Sequence, residues 1–307
     1  MKALAAYIAS GRWQAVLVAT ISGAMTVVPL FGSMLNYLAA AVVALVTLHI
    51  GTLAGLQVMV IAAAVTLLLH QLLGGPAAVV LVLILMLWVP CWTTAVVLRQ
   101  SNRLGQALKS VVLFGAVLLL IVFGWYGDPS AWWLEWLRQQ VTILTEAGIS
   151  FPALTDVLLE ELSTLMAGMV IASLVIGVMA SLLLARWWQS VLVHPGAFRD
   201  EFFELRLGHG NGLVTLGIML VAQFTQGSVS NFSTQLAMIM LVPYLLAGLA
   251  VIHSLLKQAG KGRGWLMTVY VLLAIIPQAA FLLAAGGLLD TWIDFRRRLA
   301  RDEGNTD

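Results

Sequence analysis

Long apolar stretches alternate along the chain with short polar or glycine-rich breaks. The stretches are Trp13–Phe31, Met34–Ile50, Thr52–Leu73, Ala77–Leu98, Gln106–Trp125, Ser163–Ala185, Gly212–Thr225, Asn231–Leu256 and Trp265–Leu289. Crossing a bilayer core takes about 20 apolar residues at a helical rise of roughly 1.5 Å, so most of them predict membrane-spanning helices. Gly32-Ser33, Gly51, Gly74-Gly75-Pro76 and Gly127-Asp128-Pro129 are turn signals. The first four stretches are joined by so few residues that they predict antiparallel neighbours. Two stretches fit a simple span poorly. Gly212–Thr225 covers only ~21 Å at the helical rise, short of a core of about 30 Å. Trp265–Leu289 is interrupted by Pro277, which breaks helices. The pattern predicts an all-α, polytopic transmembrane helical bundle of eight spans, or nine if the short segment crosses. Residues 1–307 form one integral membrane domain in this reading.

The segment 126–162 reads as an external loop carrying an amphipathic helix. Asp128 caps it, Pro129 takes the first helical position, and Trp132, Trp133, Trp136, Leu137, Val141 and Leu144 fall near one face. With Trp125, this places four tryptophans near one membrane face, as an aromatic belt or as a lid over an external entrance.

Composition agrees with the pattern. Hydrophobic residues make up 61% of the 307-residue chain and charged residues 10%, and the mean hydropathy is +0.98. A soluble domain carries roughly a quarter charged residues, which excludes a cytosolic enzyme, a secreted domain and a disordered chain. The net charge of +2 gives no electrostatic reason to expect nucleic acid as a partner. The single cysteine, Cys91, allows no intrachain disulfide and sits in an apolar run as an inert thiol. Trp13–Phe31 is too long for a cleaved signal core and is expected to be a retained span.

Charge placement sets the orientation. Lys2 and Arg12 put the N-terminus in the cytoplasm, and Arg99, Arg103 and Lys109 fall on the same side four spans later. Residues 126–162 hold Asp128, Glu135, Glu146, Asp156, Glu160 and Glu161 against Arg138 alone, as an external loop would. Arg186, Arg199 and Arg206 return residues 186–211 to the cytoplasm. Lys257, Lys261 and Arg263 then ask for the same side as Arg296, Arg297, Arg298 and Arg301 in the polar tail 290–307, although one full stretch separates the two groups. Either Gly212–Thr225 re-enters or Pro277 folds the last stretch into a hairpin. Eight full spans, one short segment and a cytoplasmic C-terminus are expected.

No phosphate-cradling glycine loop, metal-ligand spacing or nucleophile–base pair is present, so no catalytic residue, cofactor or metal is expected. Polar groups inside a bilayer are costly and are therefore the candidates for function. Gln57 and His70 lie on the third stretch and Gln278 on the last. The densest cluster runs from Gln223 through Asn231 to Gln235. Uncharged donors and acceptors of this kind suit a small neutral or zwitterionic organic solute. Ala15, Ala19 and Gly23 form a small-residue stripe that lets a second helix approach, from the same chain or from a partner. In the cytoplasmic segment Trp187 and Trp188 read as interface anchors, with Phe198 and Phe202 as partner-facing groups. Asp290 and Asp294 fall on one helical face within reach of Arg297 or Arg298, as a solvated helix end.

Several segments resemble one family. They are Arg186-Trp187-Trp188-Gln189 with Pro195-Gly196, Phe198-Arg199 and Glu201-Phe202; Tyr244-Leu245-Leu246-Ala247-Gly248-Leu249-Ala250; Gly287-Leu288-Leu289-Asp290 with Asp294-Phe295-Arg296; and Leu48-His49-Ile50-Gly51 with Gly55-Leu56. In these the chain resembles the bacterial membrane family called DUF2232, or YybS-like, over nearly its whole length. That family is distantly similar to the substrate-capturing S components of energy-coupling-factor transporters. The resemblance implies a bacterial inner-membrane protein that binds a solute and docks an energising membrane partner through Ala15, Ala19 and Gly23. It departs from S components in having more spans and a sizeable external loop. The same grouping includes membrane proteins of the cell-shape machinery. The alternative is therefore an assembly or scaffold protein acting through its cytoplasmic loop and tail with no small ligand. Lipid is the one partner common to both.

Overall fold

The computed structural model describes residues 2–27, 32–75, 77–149, 154–260, 262–276 and 278–296, and all regular structure among them is helical. The helices are α1 (Lys2–Ala9), α2 (Arg12–Ala24), α3 (Gly32–His49), α4 (Thr52–Leu72), α5 (Ala77–Leu83), α6 (Val89–Ser101), α7 (Leu104–Tyr126) and α8 (Ser130–Glu146). They continue with α9 (Asp156–Ser163), α10 (Met166–Val193), α11 (Ala197–Phe203), α12 (His209–Phe224), α13 (Ser228–Gln258), α14 (Arg263–Ile275) and α15 (Gln278–Ile293).

Among the described residues, five helices are long and apolar enough to cross a membrane: Thr52–Leu72, Val80–Ser101, Leu104–Tyr126, Met166–Val193 and Ser228–Gln258. That is fewer than the eight full spans expected, and the reasons are local. The first stretch is helical only to Ala24 and then tightens into a 3₁₀ turn over Met25–Val27, while residues 28–31 lie outside the described set. The helix before this turn rises only about 20 Å. The last stretch is divided at Pro277, itself outside the described residues. Ile276, the residue before it, belongs to neither flanking helix, as expected where a following proline disfavours helical backbone. The fourth stretch continues from α5 to α6 through a π turn, Ile84–Trp88, where the Val89 amide bonds Ile84 O five residues back. Pro90 follows directly and lacks the amide that the regular ladder needs.

Two boundaries move. Pro129, expected at the first helical position, stands in the capping position that Asp128 was expected to hold, and Asp128, one residue earlier, accepts from the Ser130 amide at 3.0 Å. Residues 186–193 are the last turns of α10 and not a loop. They stay helical because Trp188 is fully buried.

The chain forms two compact units. The first comprises Met1–Val111, Leu174–Arg206 and Ala250–Leu266. Its centre is α3, whose run Ala39–Val46 is buried at every position. A helix apolar on every face can be enclosed in this way, and α2, α4 and α6 pack around it. The second unit comprises Val112–Ser173, Leu207–Leu249 and Met267–Asp307. Here α13 and α15 cross with their backbones almost touching. A methyl on Gly248 would overlap Leu283 O, and one on Gly287 would overlap Tyr244 O and lie 2.6 Å from Gly248 N. Nearby, Gly212 of α12 admits the Trp292 ring, 2.6 Å from where a methyl would stand. At the end of α15 the Arg296 guanidinium donates to Asp290 Oδ2 at 2.9 Å with both side chains buried, and the Phe295 amide donates to Asp290 Oδ1 at 2.9 Å. This replaces the solvated pairing expected there. Asp294 leaves the helix with φ of 52°, and Arg297 and Arg298 lie outside the described residues.

Candidate functional site

Hydroxyl side chains in apolar helices usually bond back to the carbonyl one turn earlier, which satisfies them without a partner helix. Thr47 does so to Val43 O at 2.8 Å, Thr94 to Pro90 O at 2.6 Å, Ser181 to Gly177 O at 2.9 Å and Thr215 to Asn211 O at 2.8 Å. Thr20 and Thr66, both in the first unit, do not. Their hydroxyls are buried with no hydrogen-bond partner. A buried, unsatisfied hydroxyl costs roughly 1–3 kcal/mol, so two of them in one cluster call for an explanation.

The cluster has a definite construction. Thr20 and Gly23 lie one turn apart on α2. A methyl on Gly23 would lie 3.1 Å from Thr66 Oγ1 and 3.0 Å from Trp88 Cζ2, so glycine is what lets α4 and the π turn close on α2 here. The Trp88 indole N–H donates to Asn36 Oδ1 at 2.8 Å, with both side chains buried. One turn beyond Thr66, His70 is buried with its Nδ1 2.9 Å from Thr66 O and its Nε2 3.5 Å from Thr26 Oγ1. Thr26 sits in the 3₁₀ turn that ends α2 and donates its own hydroxyl to Gly23 O at 2.8 Å. A broken helix, a π turn, a buried imidazole and two open hydroxyls thus occupy one place. Irregular backbone in apolar segments is tolerated where protein or a cavity covers it, and it recurs at binding sites.

The second polar cluster, in the second unit, is built differently. Asp128 accepts from the Ser130 amide and hydroxyl and from Asn231 Nδ2 at 2.7 Å, and so ties the start of α8 to the start of α13. Partial burial pushes its carboxyl up. The Ser130 hydroxyl, Asn231, the Ser130 amide and Ser228 outweigh this and hold it below the ordinary carboxylate value. One turn along α13, Gln235 is fully buried and donates to Thr164 O at 2.7 Å, packed on Gly168, while its Oε1 has no partner. Ser230 bonds Ala222 O at 2.8 Å, which closes the turn from α12.

The residues expected from sequence are therefore distributed. Gln57 and His70 belong to the first unit, and Gln223, Asn231, Gln235 and Gln278 to the second. Gln57 accepts from Arg12 at 2.8 Å, and Gln223 and Gln278 are exposed. Ala15, Ala19 and Gly23 are buried against the chain's own helices, which leaves no face there for a docking partner. Trp188 is buried rather than an interface anchor, and Trp187 is 36% exposed. Phe198 and Phe202 stack at 6.1 Å, Phe202 meets the His253 ring edge-on at 6.0 Å, and Lys257 lies 5.5 Å over Phe203. The sequence reading missed Thr20, Thr26, Asn36, Thr66 and Trp88. The signal available was helical spacing, with Thr20 and Gly23 at i, i+3 and Thr66 and His70 at i, i+4.

At one end of the first unit, cationic and amide groups cap α3. Arg99 donates to Thr47 O at 3.0 Å and Leu48 O at 2.7 Å, and Gln189 donates to Leu48 O at 3.0 Å. Arg186 holds Gln189 Oε1 at 2.6 Å and Glu201 at 2.7 Å. Cations at a helix C-terminus oppose the negative end of its dipole. Among the described residues, no group of three or more His, Cys, Asp or Glu is arranged to hold a metal ion. No family model, curated protein or solved structure matches the chain.

Proposed function

We propose that this chain is a bacterial inner-membrane protein that captures a small, uncharged or zwitterionic organic solute, as the resemblance to S-component-like membrane proteins suggests. The observation that carries the reading is the Thr20–Thr66–His70 cluster, where buried polar groups lack partners beside a broken helix. Of the residues expected to bind solute, His70 fits best. Gln57 and Asn231 each hold another side chain, and the Gln235 amide holds Thr164 O.

The proposed topology has eight spans with a cytoplasmic N-terminus. α14 and α15 are two half-spans meeting at Pro277, so that Lys257, Lys261 and Arg263 share a side with Arg296, Arg297, Arg298 and Arg301. Support comes from the break at Ile276, which belongs to neither helix. Further support is the gathering of Arg12, Arg99 and Arg186 at one end of the first unit.

Native mass spectrometry after gentle extraction tests the reading. The wild-type chain is expected to retain a stoichiometric non-lipid molecule, and Thr20→Val with Thr66→Val is expected to lose it. Retention of a protein partner by both forms, with no small molecule on either, would replace capture with the scaffold role.

A further inference from the structure

We infer that α8 lies along the membrane surface with Trp132, Trp136 and Ile143 seated among the headgroups of zwitterionic phospholipid. The inference is independent of solute capture. It rests on how three edges of α8 differ. Trp133, Leu137, Gln140 and Leu144 recur at i, i+4, i+7 and i+11 and are half-buried. Displaced by one residue, Trp132, Trp136, Gln139 and Ile143 are all exposed, and all but Gln139 are large and apolar. Glu135, Arg138, Thr142 and Glu146 form the third edge, exposed and polar. Arg138 holds Asp156 at 3.5 Å and Glu160 at 3.9 Å, so α9 is tied to the polar edge and leaves the apolar one uncovered. Trp133 stands edge-on to Trp132 at 4.7 Å and to Trp136 at 5.7 Å, which braces both exposed rings. A lid would turn these rings onto its own chain, whereas Trp132 is 54% exposed.

The ends of neighbouring helices place this edge at a membrane boundary. α7 is long and apolar enough to span, and its side chains Leu113, Val117, Leu120 and Ile121 are exposed, as on a lipid-facing helix. That wall runs on into Trp125, 83% exposed, and Tyr126 before Gly127 turns the chain with φ of 68°. Asp128 then ties the start of α8 to Asn231 at the start of α13, a second helix able to span. α8 therefore begins where α7 ends and α13 starts, at the level where tryptophan and tyrosine gather in bilayers. An apolar rim beside a charged edge is the arrangement of a helix lying in that interface. Charge selects the lipid. Residues 130–163 carry Glu135, Glu146, Asp156, Glu160 and Glu161 against Arg138 alone, so anionic headgroups are repelled. The ammonium of a zwitterionic headgroup instead meets indole faces and the Glu135 carboxylate, one turn from Trp132.

The test uses the full chain in phosphatidylcholine nanodiscs, with nitroxide labels on Ile143→Cys or Thr142→Cys in a Cys91→Ala background. Both labelled positions are exposed, so the label displaces no packed side chain. The label at position 143 is expected to respond severalfold more to oxygen, which partitions into lipid, than to a water-soluble nickel chelate. The label at position 142 is expected to show the reverse preference. Preference for the chelate at both positions overturns membrane seating. Shielding of position 143 from both relaxants also overturns it, because a lid or a second copy would then cover that edge. In phosphatidylglycerol nanodiscs the label at position 143 is expected to become severalfold more accessible to the chelate. Equal access in the two lipids overturns the headgroup preference. Trp132→Ala with Trp136→Ala is expected to raise chelate access at position 143 in phosphatidylcholine, and unchanged access overturns the anchoring role of the two rings.

Discussion

The two polar clusters differ in how completely they are closed. In the second unit Asp128 collects donors from two helix starts, Asn231 and Ser230 bond within the unit, and α13 meets α15 through Gly248 and Gly287 with no room for a methyl group. Among the described residues Gln235 Oε1 and the Tyr244 hydroxyl stay open there. In the first unit the helices around Gly23 also come close, yet the Thr20 and Thr66 hydroxyls end without partners. Closed networks fix a structure, whereas open valences held in place by a closed scaffold give a ligand something to complete. On the proposed capture reading, the first cluster serves recognition and the second serves rigidity.

The comparison can be broken at its rigid side first. Arg296→Met should leave the Asp290 carboxylate buried and unpaired, at a cost of about 3–5 kcal/mol, read as a lowered unfolding midpoint in detergent. Asp290→Asn combined with Arg296→Met should recover much of it. Gly248→Val should cost about 3 kcal/mol, at the upper end for overpacking, because the obstacle is backbone and cannot rotate away. Gly23→Ala meets side chains and should cost clearly less in the same assay.

Asp128 sets a pH dependence. Its carboxyl is held below the ordinary value in the folded chain, so its stabilising effect is present above that ordinary value of about 4 and is lost as pH falls through the lower, folded one. Asp128→Asn should flatten the acid limb of stability and cost about 1 kcal/mol at neutral pH, in line with weakened hydrogen bonds.

Thr66→Val sharpens the contrast by sign. Removing an unsatisfied hydroxyl should leave stability unchanged or raise it by about 1 kcal/mol, while Thr47→Val, which removes a made hydrogen bond, should lower it by a similar amount. Gln223→Ala and Gln278→Ala, both exposed, should stay within about 0.5 kcal/mol of wild type.

Much of this was legible from the order of residues. Thr52–Leu73 became α4, ending at Leu72, and the proline at 277 marked the division between α14 and α15. The turn after Ala24 was not legible, because Met25-Thr26-Val27 is apolar enough to continue a helix and only the structure reveals the tightening. The second cluster drew attention through sheer density of amides and hydroxyls, a feature of composition. The first consists of single threonines one turn from Gly23 or His70. An isolated threonine in an apolar helix ordinarily bonds its own backbone, as Thr47 and Thr94 do. What sets Thr20 and Thr66 apart is a bond they do not make, and no periodicity encodes that. The tryptophan at 188 misled for a related reason. Beside Arg186 it reads as a headgroup anchor, yet it is fully buried.

The Asp290–Arg296 pair also constrains how the chain is made. Asp290 emerges from the ribosome before the arginine that neutralises it, and a lone carboxylate is among the costliest groups to hand to a bilayer. Six residues separate the two, so at synthesis rates of about 5–20 residues per second the carboxylate waits roughly a second or less. Under the proposed topology, α15 would therefore be inserted together with the segment that follows it. A nascent chain that stops before Arg296 would present the quality-control machinery with an acidic helix end that nothing in its own sequence can cover.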